Sequence, residues 1–235
     1  MERGAPRRMR LTEDLVRRVP PAEETKTPFG PPADRHPATP ADHEAFADTV
    51  LAAADPTDAV WIFAYGSLIW KPACAHVGER LALARGWRRT FCLGWDTFHR
   101  GSPDRPGLML ALDRGGQCAG VAYQLPPGHE RENLVALSRR ERLLLPHPFP
   151  ERWINVETEA GPLRALTFAI DRKSGVYISG LADERITEVL ATAAGPGGSM
   201  AEYLQSTVAY LEEKGIHDRH LWKLQDLVAE RLELA

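Results

Sequence analysis

Strand signals in this chain fall between residues 59 and 170, helix signals gather after residue 182, and the two hardly alternate. A doubly wound parallel sheet needs a helix after nearly every strand, so the segregation predicts an α+β fold instead. The sharpest strand signal is Ala59-Val-Trp-Ile-Phe-Ala-Tyr65, a continuous apolar run stopped by Gly66. It is too short for a helix, and its β-branched and aromatic content reads as a buried strand. Further strands are expected at 87–94, 108–112, 118–125, 152–158 and 164–170. A Gly- and Pro-rich turn is expected at 101–107, and a hairpin-like connection at Asp113-Arg-Gly-Gly-Gln117. Helical spacing marks 128–143, then 182–194, 199–214 and 218–234, with breaks at Gly195-Pro-Gly-Gly198 and Gly215.

Ahead of this core, residues 1–45 read as a proline-rich, partly disordered extension, and 46–235 as the domain proper. Residues 10–19 can form a short helix, but Pro20, Pro21, Pro28, Pro31, Pro32, Pro37 and Pro40 follow, and such density forbids continuous helix or sheet. A helix over 41–54 follows, with Pro40 and Asp42 near its start. Net charge is -3, which leaves no basic footprint for a nucleic acid. No apolar stretch is long enough to insert in a membrane, and none follows the arginine-rich residues 1–10 as a secretory signal requires. Cys74, Cys92 and Cys118 are odd in number and lack CxxC spacing, which reads as reduced thiols in the cytoplasm.

Several residues can carry chemistry. Tyr65-Gly66-Ser67-Leu68 leaves the first strand through a glycine, so the backbone can turn and a ligand can approach the amides closely. Such amides hold a carboxylate or a developing oxyanion; the alternative is a plain strand-ending turn. Ser67 lacks the G-x-S-x-G flanks and a histidine partner of a covalent nucleophile. Glu141 shares a helix face with Leu134 and Leu137, so its carboxylate follows them inward. It also lies in the last turn, where the helix dipole opposes a negative charge. Burial and dipole together raise its pKa toward that of an acid/base working near neutrality. A salt bridge to Arg139, Arg140 or Arg142 is the competing reading. Arg100, in the His99-Arg100-Gly101 loop, is either a grip for a substrate carboxylate or a solvated side chain. His217 and His220 lack a third metal ligand, and Gly195-Pro-Gly-Gly-Ser199 lacks the lysine of a phosphate loop.

In order along the chain, these pieces resemble the ChaC family of glutathione-specific γ-glutamyl cyclotransferases. Phe63-Ala-Tyr-Gly-Ser-Leu-Ile-Trp-Lys-Pro72 is similar to the family's YGSL signature, and Phe98-His-Arg-Gly-Ser-Pro-Asp-Arg-Pro-Gly107 to its HRG-x-P segment. Gly120-Val-Ala-Tyr-Gln-Leu125, Arg140-Glu141, and Ala194-Gly-Pro-Gly-Gly198 with Glu202-Tyr-Leu204 match further elements. The resemblance implies a small mixed β-barrel with flanking helices. It implies a cytoplasmic lyase cleaving a small-molecule substrate, glutathione, to 5-oxoproline and Cys-Gly without metal or cofactor. Glu141 would be the acid/base, and Tyr65, Gly66, Ser67 and Leu68 would bind the γ-glutamyl group. Arg100, Tyr177 and Tyr203 complete the expected binding residues. Two positions depart from the pattern: Phe149 stands near an expected tyrosine, and Met200 replaces the asparagine before Glu-Tyr-Leu. They fall where the leaving dipeptide would be recognised. A cyclotransferase for other γ-glutamyl amides, or a weakly active γ-glutamyl-binding module, therefore stays open as an alternative.

Overall fold

A computed structural model of the chain describes residues 8–19, 34–97 and 99–234. In chain order the elements are α1 (Glu13–Val16), β1 (His36–Pro37), α2 (Pro40–Ala53), β2 (Trp61–Ala64), α3 (Ser67–Trp70), β3 (Gly78–Asp96) and β4 (Gly107–Gln124). There follow α4 (Glu130–Glu141), β5 (Leu144–Leu145), β6 (Glu151–Thr158), β7 (Gly161–Phe168) and α5 (Asp183–Thr192). Last come β8 (Ala194–Gly195), β9 (Gly198–Ser199), α6 (Met200–Glu213) and α7 (Arg219–Glu233). The described residues fall into two compact units. One lies within Phe29–Leu93 and Leu110–Tyr177, the other within Met1–Pro28, Gly94–Met109 and Ile178–Ala235.

The first unit is built on a closed five-stranded barrel in the order β2-β4-β3-β6-β7. β2 runs antiparallel to β4, with Ile62 opposite Tyr123, and parallel to β7, with Ile62 opposite Leu166. β6 pairs antiparallel with β7 along its whole length and with β3 at Leu83–Glu157. Closure leaves no unpaired edge. The core cluster sets Trp61, Phe63, Leu112, Ile154 and Val156 among the small residues Ala82, Ala84, Ala122 and Ala165. That mixture of large and small side chains suits a narrow barrel. This is the mixed α+β barrel with flanking helices that the sequence led us to expect.

Two expectations need correction. Residues 113–117 do not connect two strands: β4 runs through them, and Gly115 and Gly116 take φ of 105° and 71° within it. The apparently turn-like Asp113 is 1% exposed and accepts bonds from Arg88 at 3.0 Å and Arg172 at 2.7 Å. Polar and glycine content that imitates a turn thus holds a buried carboxylate paired with two half-exposed arginines. β3 also begins at Gly78, well before residue 87. Its early part buries Ala82 and Ala84 while Leu81 is 50% exposed, so the hydrophobic alternation points the wrong way to be read.

α2 and α4 lie together on the barrel unit. The capping box of Thr39 and Asp42 starts α2, and His43 Nδ1 meets Ser138 Oγ at 2.9 Å between the two helices. After α4 the chain pairs β5 with β1 and then turns inward. There His147 lies 3.9 Å from Phe149, centroid to centroid, with Phe168 edge-on to both. Burial pushes the His147 imidazole down to about 4 from 6.5, against a bond to the Phe149 carbonyl that favours the proton. The unfolded chain therefore binds this proton first as pH falls. Stability should drop from pH 6.5 to about 4 and level off below, by about 3 kcal/mol at roughly 1.36 kcal/mol per unit. Urea midpoints at pH 7 and pH 5 check this: His147→Gln should lose much less stability between the two than the parent protein. Equal losses would refute it.

In the second unit, α5, α6 and α7 pack around Leu190, Met200, Leu204, Leu224 and Val228, each with no more than 1% exposed. Residues 8–19 belong to it. The backbone N–H groups of Arg10 and Leu11 both donate to the buried Gln225 Oε1, at 3.1 and 2.9 Å, and Leu11 is fully covered. Pro20, Pro21, Pro28, Pro31 and Pro32 lie outside the described residues. Gly195 and Gly198, expected as a helix–helix connection, do join α5 to α6 and form the two-residue ladder of β8 and β9. Ser199 caps α6 by accepting from Glu202 N.

Candidate active site

The 65–68 turn leaves the barrel at the end of β2. The Tyr65 ring packs on the barrel core, and its carbonyl accepts a bond from Arg89 Nη1 at 2.5 Å. Arg89, on β3 and 8% exposed, also donates to the Ala119 carbonyl at 3.1 Å. One buried guanidinium thus joins the exit of β2 to β4. Gly66 then caps α3: Ile69 N bonds to Gly66 O and Lys71 N to Ser67 O, both at 2.9 Å. The first amides of a helix have no acceptor within it, so those of Ser67 and Leu68 are directed out of the turn. Leu68 and Ile69 are buried, and the Tyr123 hydroxyl donates to the Ile69 carbonyl at 3.1 Å. Burial first, then the charges of Glu79 and Cys74, push that phenol up to about 12, so it keeps its proton.

Glu141 ends α4 below Leu134 and Leu137, which have no exposed surface. Its own side chain is 16% exposed. Burial raises the carboxyl above its ordinary value, and the charge of Arg140 pulls it part of the way back. Of the three arginines weighed as partners, Arg140 is the one that pairs, Nε to Oε1 at 3.3 Å, while Arg142 turns to Glu151. The same Arg140 donates from Nη2 to Ser67 Oγ at 3.2 Å. The Ser67 turn and the Glu141 carboxyl therefore meet at one guanidinium. A protonatable carboxyl of raised pKa beside a turn of outward amides can move a proton while an anionic oxygen is held. Cys74, in the loop after α3, feels Arg140 as well, but burial dominates and pushes its thiol up to about 11.

Tyr177 sits in the same unit, paired to Leu93, with its hydroxyl 3.4 Å from Asp113 and Arg172 over its ring. Arg100 and Tyr203 belong to the helical unit. Arg100 is 8% exposed; its guanidinium donates to the Ser199 carbonyl at 2.9 Å and to Glu202 at 3.2 Å, and lies over the Tyr203 ring. Its backbone N–H is held by Asp96 at 2.6 Å. Arg100 is therefore neither solvated nor idle. Met200 is fully buried at the start of α6, and Phe149 joins the aromatic cluster of the barrel unit. His217 and His220 each take a separate carboxylate, Glu212 and Asp183. Among the described residues no His, Cys, Asp and Glu side chains cluster as metal ligands.

Arg89 was the residue missed in the sequence. A usable signal existed: Arg88 and Arg89 are neighbours on a strand, so one of them must face inward and find buried acceptors.

The fold is that of solved γ-glutamyl cyclotransferases. The crystal structure of the yeast γ-glutamyl cyclotransferase specific to glutathione matches 74% of this chain and all of that one, with TM-score 0.65 and 21% identity. Its selenomethionine form matches with TM-score 0.66. Among curated proteins, the glutathione-specific gamma-glutamylcyclotransferase of Escherichia coli K12 is 36% identical over 160 residues, 68% of each chain. Glutathione-specific gamma-glutamylcyclotransferase 1 of Mus musculus is 33% identical over 215 residues, 89% of this chain and 93% of that one. Residues 60–231 match the sequence pattern of the ChaC-like proteins, and the chain belongs to that family.

Proposed function

We propose that the chain is a γ-glutamyl cyclotransferase that cleaves glutathione to 5-oxoproline and Cys-Gly in the cytoplasm, with Glu141 as its acid/base. The observation that carries this is the covered Glu141 carboxyl, raised in pKa and tied through Arg140 to the Ser67 turn. The glutathione-specific names of relatives at 33–36% identity support the substrate.

The reaction is an intramolecular aminolysis. The ionised Glu141 takes a proton from the substrate's α-ammonium, and the freed amine attacks the γ-carbonyl carbon of the same residue. The new C–N bond closes a five-membered lactam. The amides of the 65–68 turn hold the oxygen as it becomes anionic. Glu141 returns the proton to the cysteine nitrogen as the original amide bond breaks, and the second proton lost by the ring nitrogen follows it. Cys-Gly thus leaves as an ammonium, the carboxylate is regenerated and no water is consumed. Folding the γ-glutamyl chain so that amine and carbonyl touch makes the attack unimolecular, an effect of up to about 7–11 kcal/mol when well oriented. Tyr177, fixed by Asp113, is a further proposed contact for the substrate.

The test is incubation of the purified protein with glutathione, following 5-oxoproline and Cys-Gly by mass spectrometry. Equimolar appearance of both is expected. Turnover of other γ-glutamyl amides but not of glutathione would overturn the substrate and keep the chemistry; no turnover of any would overturn both.

A further inference from the structure

Arg140 is the point at which two elements distant in sequence are joined. Its Nη2 donates to Ser67 Oγ on α3, 73 residues away in the chain, while its Nε faces its own neighbour Glu141 at 3.3 Å. The two nitrogens are fixed relative to each other in a rigid planar fork, a geometry a lysine ammonium does not reproduce. We propose that Arg140 is a positioning residue that holds the Glu141 carboxylate and the Ser67 turn in register, so that proton transfer at Glu141 and the grip on the γ-glutamyl group are coupled. The proposal rests on the reading of Glu141 given above and deepens it.

The electrostatics around this corner agree. Cys74, from the loop after α3, keeps its proton and adds no charge near neutrality. His147, from the loop after β5, bonds to the Glu141 backbone and is neutral above about 4. Arg139 acts on His43, and Arg142 is engaged by Glu151. Arg140 is the charge that acts on the Glu141 carboxyl, and it does so against burial. When Glu141 takes up the proton, the ion pair loses its Coulombic part while the Ser67 bond persists. When Glu141 gives the proton back, the pair is restored. The arginine therefore favours the base form that starts the cycle and its regeneration at the end.

Arg140→Met, Arg140→Lys and Ser67→Ala, each checked for folding by its thermal transition, test this. Arg140→Met should lower kcat/KM by about 10–100-fold, the scale of a misplaced proton-transfer group, and move the acid limb of the pH profile to higher pH. Arg140→Lys should keep the limb in place but recover only part of the rate. Ser67→Ala combined with Arg140→Met should lose less than the sum of the single losses, because both remove one link. A limb that stays put in Arg140→Met, or fully additive losses, would overturn the proposal. Titration of the Glu141 carboxyl carbon by NMR, without substrate, reads the same coupling independently of turnover. An upward shift in Arg140→Met supports it even if the protein turns over no γ-glutamyl compound, and an unchanged titration sinks it.

Discussion

Replacing Glu141 by glutamine should abolish turnover while the protein still binds its ligand. The amide keeps the shape of the side chain and can still accept from Arg140, but it cannot take and return a proton. General acid–base groups contribute about 10²–10⁴-fold, so the residual rate should fall by at least that lower figure. The stability of the variant separates this from misfolding. Glu141 has a folded pKa above its usual value, so its ionised form at neutral pH opposes folding, and that cost grows as pH rises through the folded pKa. Glu141→Gln should therefore be at least as stable as the parent at pH 7, as urea unfolding would show. The parent's kcat/KM should rise with pH through a limb above 4.5, because in the proposed reaction the base form is the one that begins the cycle. A variant that is inactive but also strongly destabilised, or one that retains turnover, would contradict the role.

The second large effect is expected at Gly120. A Cβ added there would lie 2.3 Å from the Ala64 carbonyl oxygen and 2.8 Å from two atoms of the Phe63 ring. The carbonyl is backbone in a closed barrel, opposite β4 where Ala64 pairs with Val121, and cannot swing aside. Gly120→Ala should cost at least the about 1–3 kcal/mol typical of overpacking, a fall of about 2–4 °C in Tm for each of them. Activity should fall further than stability alone explains, since the displaced Ala64 directly precedes Tyr65 and the turn. Gly175→Ala is the control: its Cβ meets nothing within 4 Å, and both Tm and rate should hold. Equal behaviour of the two variants would show that the close approach at Gly120 has slack that the geometry does not reveal.

The parts of this protein legible in the sequence are those where a local rule and the tertiary outcome agree. Residues 60–64 of the 59–65 run are buried because nothing else could be done with so many apolar side chains, and Trp61–Ala64 became β2. Glu141 shares its face with Leu134 and Leu137, so helix geometry alone sends it inward. What stayed hidden is whatever depends on a partner distant in the chain. Asp113 looked like a turn residue because Arg88 and Arg172, which allow it to be buried in a strand, are invisible to a local reading. Leu81 and Ala82 misled in the opposite sense: in a narrow barrel the small residue goes in and the large one stays out. The choice of Arg140 over its two neighbours as the carboxyl's partner was likewise set by where Ser67 lies.

The barrel closes where β2 lies beside β7, and Thr167 Oγ1 bonds to the Phe63 carbonyl across 104 residues of chain. Such a seam brings its loop-closure entropy to be met before any of its contacts are gained. The strand it seals is the one that carries Tyr65 and the turn. A nascent or half-unfolded chain therefore has the residues of the site but no assembled site, and cannot consume thiol-bearing peptides around it. Catalytic activity in this architecture requires that seam to be shut, so an assay of turnover doubles as a measure of the fraction of molecules in which β2 and β7 are joined.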